Sequence, residues 1–201
     1  MSWEKDLEEL KKRAELAKEM GGIERIAKHY ARGRLTVRER IDQLLDKDSF
    51  HETGEITGKV TYDKNGEIQE FIPSNFIFGR GKVDGREVVV AGDDFTVRGG
   101  AADARIGNKS LYSLKLAEHL RLPLVNLVDG SGGGGSVKTL ETMGATYVPG
   151  LPSWQNIVRL LSMVPVVGAC MGSVAGLGSA RVVASHFSIM VKGSAQMFVA
   201  G

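Results

Sequence analysis

Two glycine-rich segments contain the residues of this sequence best suited to chemistry. The first runs from Val128 to Ser136, and five of the six residues from Gly130 to Gly135 are glycine. Because glycine has no side chain, the peptide N–H groups of such a segment can approach a phosphate or a developing oxyanion directly. The alternative is a flexible turn, but ordering so many glycines costs conformational entropy that a binding site would have to offset.

The second segment, Gly172 to Ala180, also follows a predicted strand and opens a predicted helix. Free N–H groups at the start of a helix add the positive end of its dipole. The alternative is close packing of a helix on a strand through small residues. If both segments face one cavity, we expect two backbone donors to converge on one carbonyl oxygen.

Two common nucleotide-binding patterns do not fit the first segment. Gly130, Gly132 and Gly135 have the spacing of a dinucleotide fingerprint. That fingerprint needs an acidic residue about 20 positions further on, and no Asp or Glu follows Glu141. A P-loop is also excluded, because no Gly-Lys-Ser/Thr follows the glycines.

The cysteine and the histidines have no partners in the sequence pattern that would make a catalytic or metal site. Cys170 has the glycine surroundings of a nucleophile elbow, although a lone cysteine in an apolar strand is more often a core residue. We interpret His186 as structural. The other histidines have no acidic partners at metal-binding spacing, so the sequence predicts no metal site.

Polar groups also follow a predicted buried strand. Asp93 and Asp94 could form a carboxylate pair for acid–base catalysis, and the alternative is capping of a loop. Arg98, which precedes Gly99 and Gly100, could hold an anionic ligand, and the alternative is an ordinary surface arginine.

These residues must be positioned by helices and strands. Hydrophobic periodicity predicts helices over residues 2–20, 23–31, 36–45, 104–120, 154–163 and 176–185. Alternating or apolar runs predict strands over residues 55–62, 75–83, 86–91, 123–128, 165–169, 188–191 and 196–199. The order of elements after about residue 76 indicates the α/β class.

Several local features refine this prediction. Asp84-Gly85 is typical of a two-residue hairpin turn, and Thr36 with Glu39 predicts a capping box. We expect Val88–Val90 to be buried on both faces of its strand. The core-facing residues of the fourth helix are expected to be Leu111, Leu114, Ala117 and Leu120.

Composition and charge narrow the class of protein. The 201 residues carry a formal net charge of +2, so no strong field indicates a nucleic-acid-binding protein. A single cysteine excludes a disulfide framework and favours a reducing, cytoplasmic location. No apolar run suffices for a membrane span, and the N-terminus is too acidic for a targeting peptide. Because the chain ends on apolar, strand-like residues, we expect it to be the front part of a longer protein.

Taken together, the motifs resemble one family. They are similar, in the same order, to the carboxyltransferase subunits of biotin-dependent acyl-CoA carboxylases, which include propionyl-CoA carboxylase β and methylmalonyl-CoA decarboxylase α subunits. The segments that carry the resemblance are Arg32–Ile41, Asp94–Gly100, Asp129–Gly133, Gly172–Gly176, Met190–Lys192 and Met197–Val199.

This resemblance implies a crotonase-like β-β-α superhelix. Residues 1–50 would form an N-terminal helical arm, and residues 51–201 the N-terminal acyl-CoA carboxyltransferase domain, truncated relative to the family. The partners implied are an acyl-CoA substrate, a biotin cofactor carried on a partner carboxyl-carrier protein or domain, and further copies of the chain in a homo-oligomer. No nucleic acid is implied.

The resemblance also implies roles for individual residues. Backbone N–H groups would hold the enolate of the acyl-CoA, contributed by Gly132 and Gly133 in the first segment and by Gly176 and Leu177 in the second. The residues implied to contact the substrate are Arg98, Gly99, Gly100 and Gly134. Gly134 and Gly135 stand where the family has Ala-Arg, so the register of the first donor pair stays open by one or two residues.

Three functional alternatives remain at this point. The same site could carboxylate an acyl-CoA or decarboxylate it, and the chain could instead be a non-catalytic acyl-CoA-binding or assembly fragment. Hydration by a glutamate pair, as in enoyl-CoA hydratases, is disfavoured, because the corresponding position is Ala180 and no carboxylate follows it.

Overall fold

A seven-stranded mixed β-sheet forms the centre of the fold. The computed structural model describes residues 3–101, 106, 108–131, 140–141, 144 and 153–199. Its strands are β1 (His51–Glu52), β2 (Gly58–Tyr62), β3 (Ile68–Pro73), β4 (Phe76–Val83), β5 (Arg86–Asp93), β6 (Leu124–Ser131), β7 (Val166–Ala175), β8 (Phe187–Met190) and β9 (Gln196–Phe198). Its helices are α1 (Glu4–Lys18), α2 (Ile23–Tyr30), α3 (Val37–Leu44), α4 (Lys109–Leu120), α5 (Trp154–Leu161) and α6 (Leu177–Val183).

The strand order in the main sheet is β1-β4-β5-β6-β7-β8, with β9 also paired to β7. Strands β4 and β5 form the predicted antiparallel hairpin around Asp84-Gly85, and β5 to β8 are parallel. Strands β2 and β3 form a separate two-stranded sheet. Parallel strands linked by helices confirm the α/β class.

Helices cover both faces of the sheet. On one face, α4 and α5 bury Leu114, Ala117 and Leu160 against β4 to β7. On the other face, Val37 and Ile41 of α3 pack on Val88 and Val90 of β5, whereas Val89 belongs to the core on the first face. The burial predicted for residues 88–90 is therefore confirmed.

The N-terminal helices begin and end close to their predicted limits. The capping box of α3 is present, because Thr36 Oγ1 accepts from the Glu39 N–H while Glu39 accepts from the Thr36 N–H at 2.8 Å. Helix α1 reaches the small sheet through the hydrogen bond from Tyr62 to Glu9, 2.7 Å. The limit between arm and domain at residue 50 remains a prediction, and the apolar contacts of α3 cross it.

Two expectations need correction, and two strands have no predicted counterpart. Leu120 is 39% exposed rather than buried, because it is the last residue of α4 and lies beyond the contact with the sheet. Strand β7 continues to Ala175, well past residue 169, since its partner β6 also extends and pairs with it there. Strands β1 and β3 were not predicted. None of the described helices is long and apolar enough to cross a membrane.

Candidate active site

The two glycine-rich segments come together at one edge of the sheet. Strands β6 and β7 are parallel neighbours whose pairing ends with Gly130 opposite Val174 and Ser131 opposite Ala175. The first segment therefore continues from the same edge at which α6 begins, at Leu177. Residues 132–135, which include three of the predicted site glycines, lie outside the described residues.

The start of α6 packs backbone to backbone against the first segment. A Cβ atom added to Gly178 would lie 2.9 Å from the Gly130 carbonyl oxygen and 2.8 Å from Val174 Cγ1. No larger residue fits there without moving the helix. The small residues of the second segment therefore do allow α6 to pack closely on β6. This packing also brings the two glycine-rich segments side by side.

The two predicted donors of the second segment have different surroundings. Gly176 adopts φ 57° and ψ −122°, and its N–H donates to the Phe198 carbonyl oxygen at 3.1 Å. No described residue accepts a hydrogen bond from the Leu177 N–H, which is the first N–H of α6. Of these two predicted donors, Leu177 thus offers an amide that can bind a ligand, within the described part of the chain.

Arg98, Gly99 and Gly100 form a single 3₁₀ turn beside the first segment. All three have positive φ, 50°, 63° and 66°. A Cβ atom added to Gly130 would lie 2.6 Å from the Gly99 carbonyl oxygen, and one added to Gly100 would collide with the carbonyl oxygen of Asp129. The structure therefore brings these three residues to the same edge as Leu177, while Gly134 lies outside the described residues.

Buried ion pairs hold this edge together. Asp93 at the end of β5 accepts from the Arg181 guanidinium of α6 and, through Oδ2, from the Asp129 N–H at 3.2 Å. The Asp129 carboxylate is fully buried and pairs with Arg40 of α3 at 2.7 Å. Burial raises the pKa of the Asp129 carboxyl, and the Arg40 guanidinium opposes this rise.

Asp93 and Asp94 do not act on a common partner. Asp94 Oδ1 accepts from both the N–H and the hydroxyl of Thr96, at 2.9 and 2.6 Å, which caps the turn after β5. Burial raises the pKa of the Asp94 carboxyl. The capping interpretation therefore holds for Asp94, and the structure gives no support to a carboxylate pair.

Cys170 and His186 are structural. Cys170 is fully buried among Val128, Val174 and Val182, and burial raises the pKa of its thiol. A buried thiol of this kind is not a nucleophile. His186 Nδ1 accepts from the Val166 N–H at 3.0 Å. Among the described residues, no three His, Cys, Asp or Glu side chains are grouped so that they could hold a metal ion.

A small cavity of about 30 Å³ borders the start of α6. It is large enough for a water molecule. Leu177 and Arg181 line one side, and Phe76 and Asn126 contribute from the sheet. The Leu177 side chain therefore borders an internal space with both polar and apolar walls.

The sequence of this chain matches a known protein family. Residues 28–201 match the carboxyl transferase domain, and the chain belongs to this family. A curated relative is the propionyl-CoA carboxylase, carboxyltransferase subunit, of Haloferax mediterranei, which is 30% identical over 203 residues, covering 100% of this chain and 38% of the relative. Another is the methylmalonyl-CoA decarboxylase subunit alpha of Propionigenium modestum, 30% identical over 197 residues, covering 98% of this chain and 37% of the relative. The chain thus spans little more than a third of the length of these relatives.

Solved structures agree with this assignment. Transcarboxylase 12S, a hexamer with methylmalonyl-CoA and methylmalonic acid bound, matches with a TM-score of 0.74 and 26% identity over 100% of this chain and 38% of that one. The geranyl-CoA carboxylase beta subunit of P. aeruginosa matches with a TM-score of 0.66 and 25% identity over 96% of this chain and 35% of that one. The crotonase-like fold with a helical N-terminal arm is therefore confirmed.

Proposed function

We propose that this chain is the N-terminal half of the carboxyltransferase subunit of a biotin-dependent acyl-CoA carboxylase. It would transfer CO2 between carboxybiotin and the α-carbon of an acyl-CoA such as propionyl-CoA. The observation that carries the proposal is the meeting of the first glycine segment and the start of α6 at one sheet edge. The activities named for the relatives support the same reaction class.

The chemistry needs a site for negative charge. When the α-carbon of a thioester becomes nucleophilic, the thioester oxygen takes on enolate charge. The Leu177 N–H lies at the positive end of α6 and is available among the described residues. With donors from Gly132 and Gly133, it would form an oxyanion hole, whose fixed dipoles stabilise such charge by several kcal/mol.

Gly176 has a different part in this proposal. Its N–H is engaged by Phe198, and its positive φ makes the bend between β7 and α6. We therefore assign the donor to Leu177 and the bend to Gly176. Arg98, Gly99 and Gly100 border the edge and, with Gly134, are proposed to contact the substrate.

The remaining components are part of the proposal. Biotin, carried on a partner carboxyl-carrier protein, would supply the carboxyl group, and further copies of the chain would complete a homo-oligomer in the cytoplasm. The decarboxylase alternative rests on the relative from Propionigenium modestum, which is as similar to this chain as the Haloferax relative. A non-catalytic acyl-CoA-binding or assembly fragment is the third possibility.

Substrate binding and turnover test the proposal separately. Isothermal titration of this chain with propionyl-CoA and acetyl-CoA should give saturable binding. If neither ligand binds, acyl-CoA is not the substrate class. Carboxyl transfer from methylmalonyl-CoA to biotin, measured in the assembled enzyme, then separates an active subunit from a fragment that only binds.

The substitution Gly133→Asp should abolish productive acyl-CoA binding or turnover, because a carboxylate side chain beside the donors repels enolate charge. Gly66→Asp, in the open turn between β2 and β3, is the matched control. Wild-type turnover by the Gly133 variant in the assembled enzyme would remove this loop from the mechanism.

A further inference from the structure

The arm carries one segment of the family resemblance, residues 32–41, to which the proposed reaction gives no role. Helix α3 begins in this segment and packs on β5. A Cβ atom added to Gly92 of β5 would lie 2.5 Å from Val37 Cγ2, so α3 approaches the strand more closely than a larger residue would allow. This approach lets Arg40, one turn further along α3, reach the edge of the sheet at which the candidate active site lies.

Arg40 forms a buried ion pair with Asp129 at this edge. Its Nη1 donates to Asp129 Oδ2 at 2.7 Å, and the two side chains are 6% and 0% exposed. Two charges that have lost their water add little net stability, because the cost of desolvation offsets their attraction. The geometry that this pair fixes therefore explains its presence better than the stability that it adds.

Asp129 lies at an irregularity in the pairing of β6 with β7. Val128 pairs with Cys170, whereas Gly130 pairs with Val174, so Asp129 alone lies opposite three residues of β7. Bulges of this kind bend a strand and occur often beside active sites. The direction in which β6 continues into the first glycine segment is therefore set at Asp129.

Asp129 also contacts the other parts of the edge. Its N–H donates to Asp93 at 3.2 Å, and a Cβ atom added to Gly100 would lie 2.2 Å from its carbonyl oxygen. A Cβ atom added to Gly172, the first residue of the second glycine segment, would lie 2.3 Å from Asp129 Oδ1. The Asp129 carboxylate therefore separates the strand that leads into the first segment from the start of the second.

The orientation of this carboxylate depends on Arg40. Among the described residues, Asp129 Oδ1 has no hydrogen-bond partner. The bond from Arg40 to Oδ2 is therefore the contact that directs the carboxylate, and the bulge around it, from the arm.

We propose that Arg40 is a positioning residue of the active site, an inference that rests on the proposed function. Through Asp129 it fixes the end of β6, from which the first glycine segment continues, relative to the second segment and the Leu177 N–H. The arm thereby shapes the proposed oxyanion hole without contacting the substrate. Loss of Arg40 should weaken the binding of enolate charge more than the binding of an uncharged thioester.

The test compares two ligands that differ in the charge on the oxygen that the oxyanion hole would bind. Propionyl-CoA carries a neutral thioester, and a nitronate analogue of propionyl-CoA carries negative charge in the position of the enolate oxygen. Titration calorimetry on this chain gives the nitronate preference, which is the ratio of the two dissociation constants. A purely structural defect lowers both affinities by the same factor and leaves this ratio unchanged.

The variants are Arg40→Ala and Arg40→Lys, of which the second keeps a positive charge beside Asp129 and so protects folding. The matched control is Arg38→Ala on the same helix. Arg38 donates to Glu52 at 2.8 Å, and Glu52 keeps Lys109 as a partner when Arg38 is removed. The control therefore breaks an ion pair of α3 that does not reach Asp129.

We expect wild type to bind the nitronate analogue more tightly than propionyl-CoA. Arg40→Ala should lose at least about tenfold of this preference, because small displacements of donor groups are costly in an enzyme site. Its affinity for propionyl-CoA should change much less. Methylguanidinium should restore the preference by pairing with Asp129 in the space that the side chain leaves, and Arg38→Ala should keep the wild-type preference.

Other outcomes separate the two proposals. If Arg40→Ala keeps the wild-type preference, or if Arg38→Ala loses it equally, the positioning role of Arg40 is wrong while the proposed function stands. If Arg40→Ala does not fold, Arg40→Lys decides, since a reduced preference supports the role and an unchanged one overturns it. Wild type that binds propionyl-CoA without preferring the nitronate would refute the oxyanion hole, and wild type that binds neither ligand would refute the proposed substrate class.

Discussion

Asp94 illustrates how a buried carboxyl can serve the fold at a cost in stability. Its side chain is 1% exposed and accepts two hydrogen bonds from Thr96. Burial raises its pKa above the ordinary value of 3.8. The folded state therefore holds this proton more tightly than the unfolded state, so the stabilising contribution is complete below about pH 3.8 and is lost as pH rises through the folded pKa.

We predict that Asp94→Asn raises the stability of the protein at pH 7. The amide keeps an oxygen for Thr96 and carries no charge, so a gain of about 1 kcal/mol, or about 2–4 °C in Tm, is expected. The advantage should shrink as pH falls through the raised pKa of Asp94, because the wild-type carboxyl then becomes protonated and loses its charge. Calorimetry across this pH range measures it, with the exposed Asp42→Asn as control. A destabilised variant at pH 7 would show that the charge itself is needed.

Local sequence patterns predict some residues of the candidate site and not others. The glycine segments stand out by composition, and the helix start at Leu177 follows from the strand and helix pattern around it. Arg40 and Arg181 give no such signal, because their partners Asp129 and Asp93 lie 89 and 88 positions away. Pairings of that range depend on the tertiary fold, so nothing local could have indicated them.

At the scale of elements, Asp93 connects three parts of the candidate site. One carboxylate at the end of β5 binds Arg181 of α6 and the peptide N–H of Asp129 in β6. The side chain of Asp93 is 1% exposed and that of Arg181 10% exposed. This pair therefore fixes α6, and with it the Leu177 N–H, relative to the strand that leads into the first glycine segment.

Removing one partner of the buried Asp93–Arg181 pair should lower the free energy of unfolding far more than removing both partners does. Asp93→Ala or Arg181→Met alone leaves one buried charge unpaired and should cost about 3–5 kcal/mol, whereas the double variant should lose much less than the sum. Urea unfolding of the four proteins gives the coupling energy. The control cycle is the surface pair of Arg159, whose side chain is 68% exposed, and Glu118, whose side chain is 19% exposed; they are 2.9 Å apart, and about 0–1 kcal/mol is expected. Equal coupling in both cycles would contradict the role of Asp93.

The contact between α6 and β6 gives a second prediction at this scale. Gly178→Ala places a methyl group 2.9 Å from the Gly130 carbonyl oxygen, which forces the helix start away from the first segment. We expect a loss of about 1–3 kcal/mol in stability and a larger relative loss of acyl-CoA affinity. Thermal unfolding and titration with propionyl-CoA measure both effects. The control is Val183→Ala, at an exposed position of the same helix; unchanged affinity in the Gly178 variant would separate this contact from substrate binding.

Most elements, but not their full extent, follow from local sequence. The hairpin at Asp84-Gly85 and the capping box at Thr36 are encoded by a few adjacent residues, and both are present. The sequence predicts that β7 ends at residue 169, and Gly172 and Ser173, which follow, are poor strand formers. The strand conformation beyond residue 169 is imposed by pairing with β6 and β9, which no local propensity reveals.

At the scale of the whole molecule, one end of the main sheet carries an exposed apolar strand. Strand β8 is the last strand in the described order, and its four residues are all exposed. Phe187 is 63% exposed, Met190 53% and Ile189 42%. An edge strand with free peptide groups and apolar side chains promotes association between chains.

We therefore predict that the protein self-associates through β8 and that Ile189→Lys weakens this association. A lysine on an edge strand opposes strand pairing between copies, and Ile189 is already exposed, so the fold should tolerate the change within about 0.5 kcal/mol. Sedimentation velocity over a range of concentrations should show a rising sedimentation coefficient for wild type and a constant, lower one for the variant. Val158→Lys, at a 55% exposed position on α5, introduces the same charge elsewhere and should behave as wild type does.

Equal effects of the two lysine substitutions would attribute the association to net charge rather than to this edge strand. A wild-type sedimentation coefficient that does not depend on concentration would show that β8 does not mediate contact between copies.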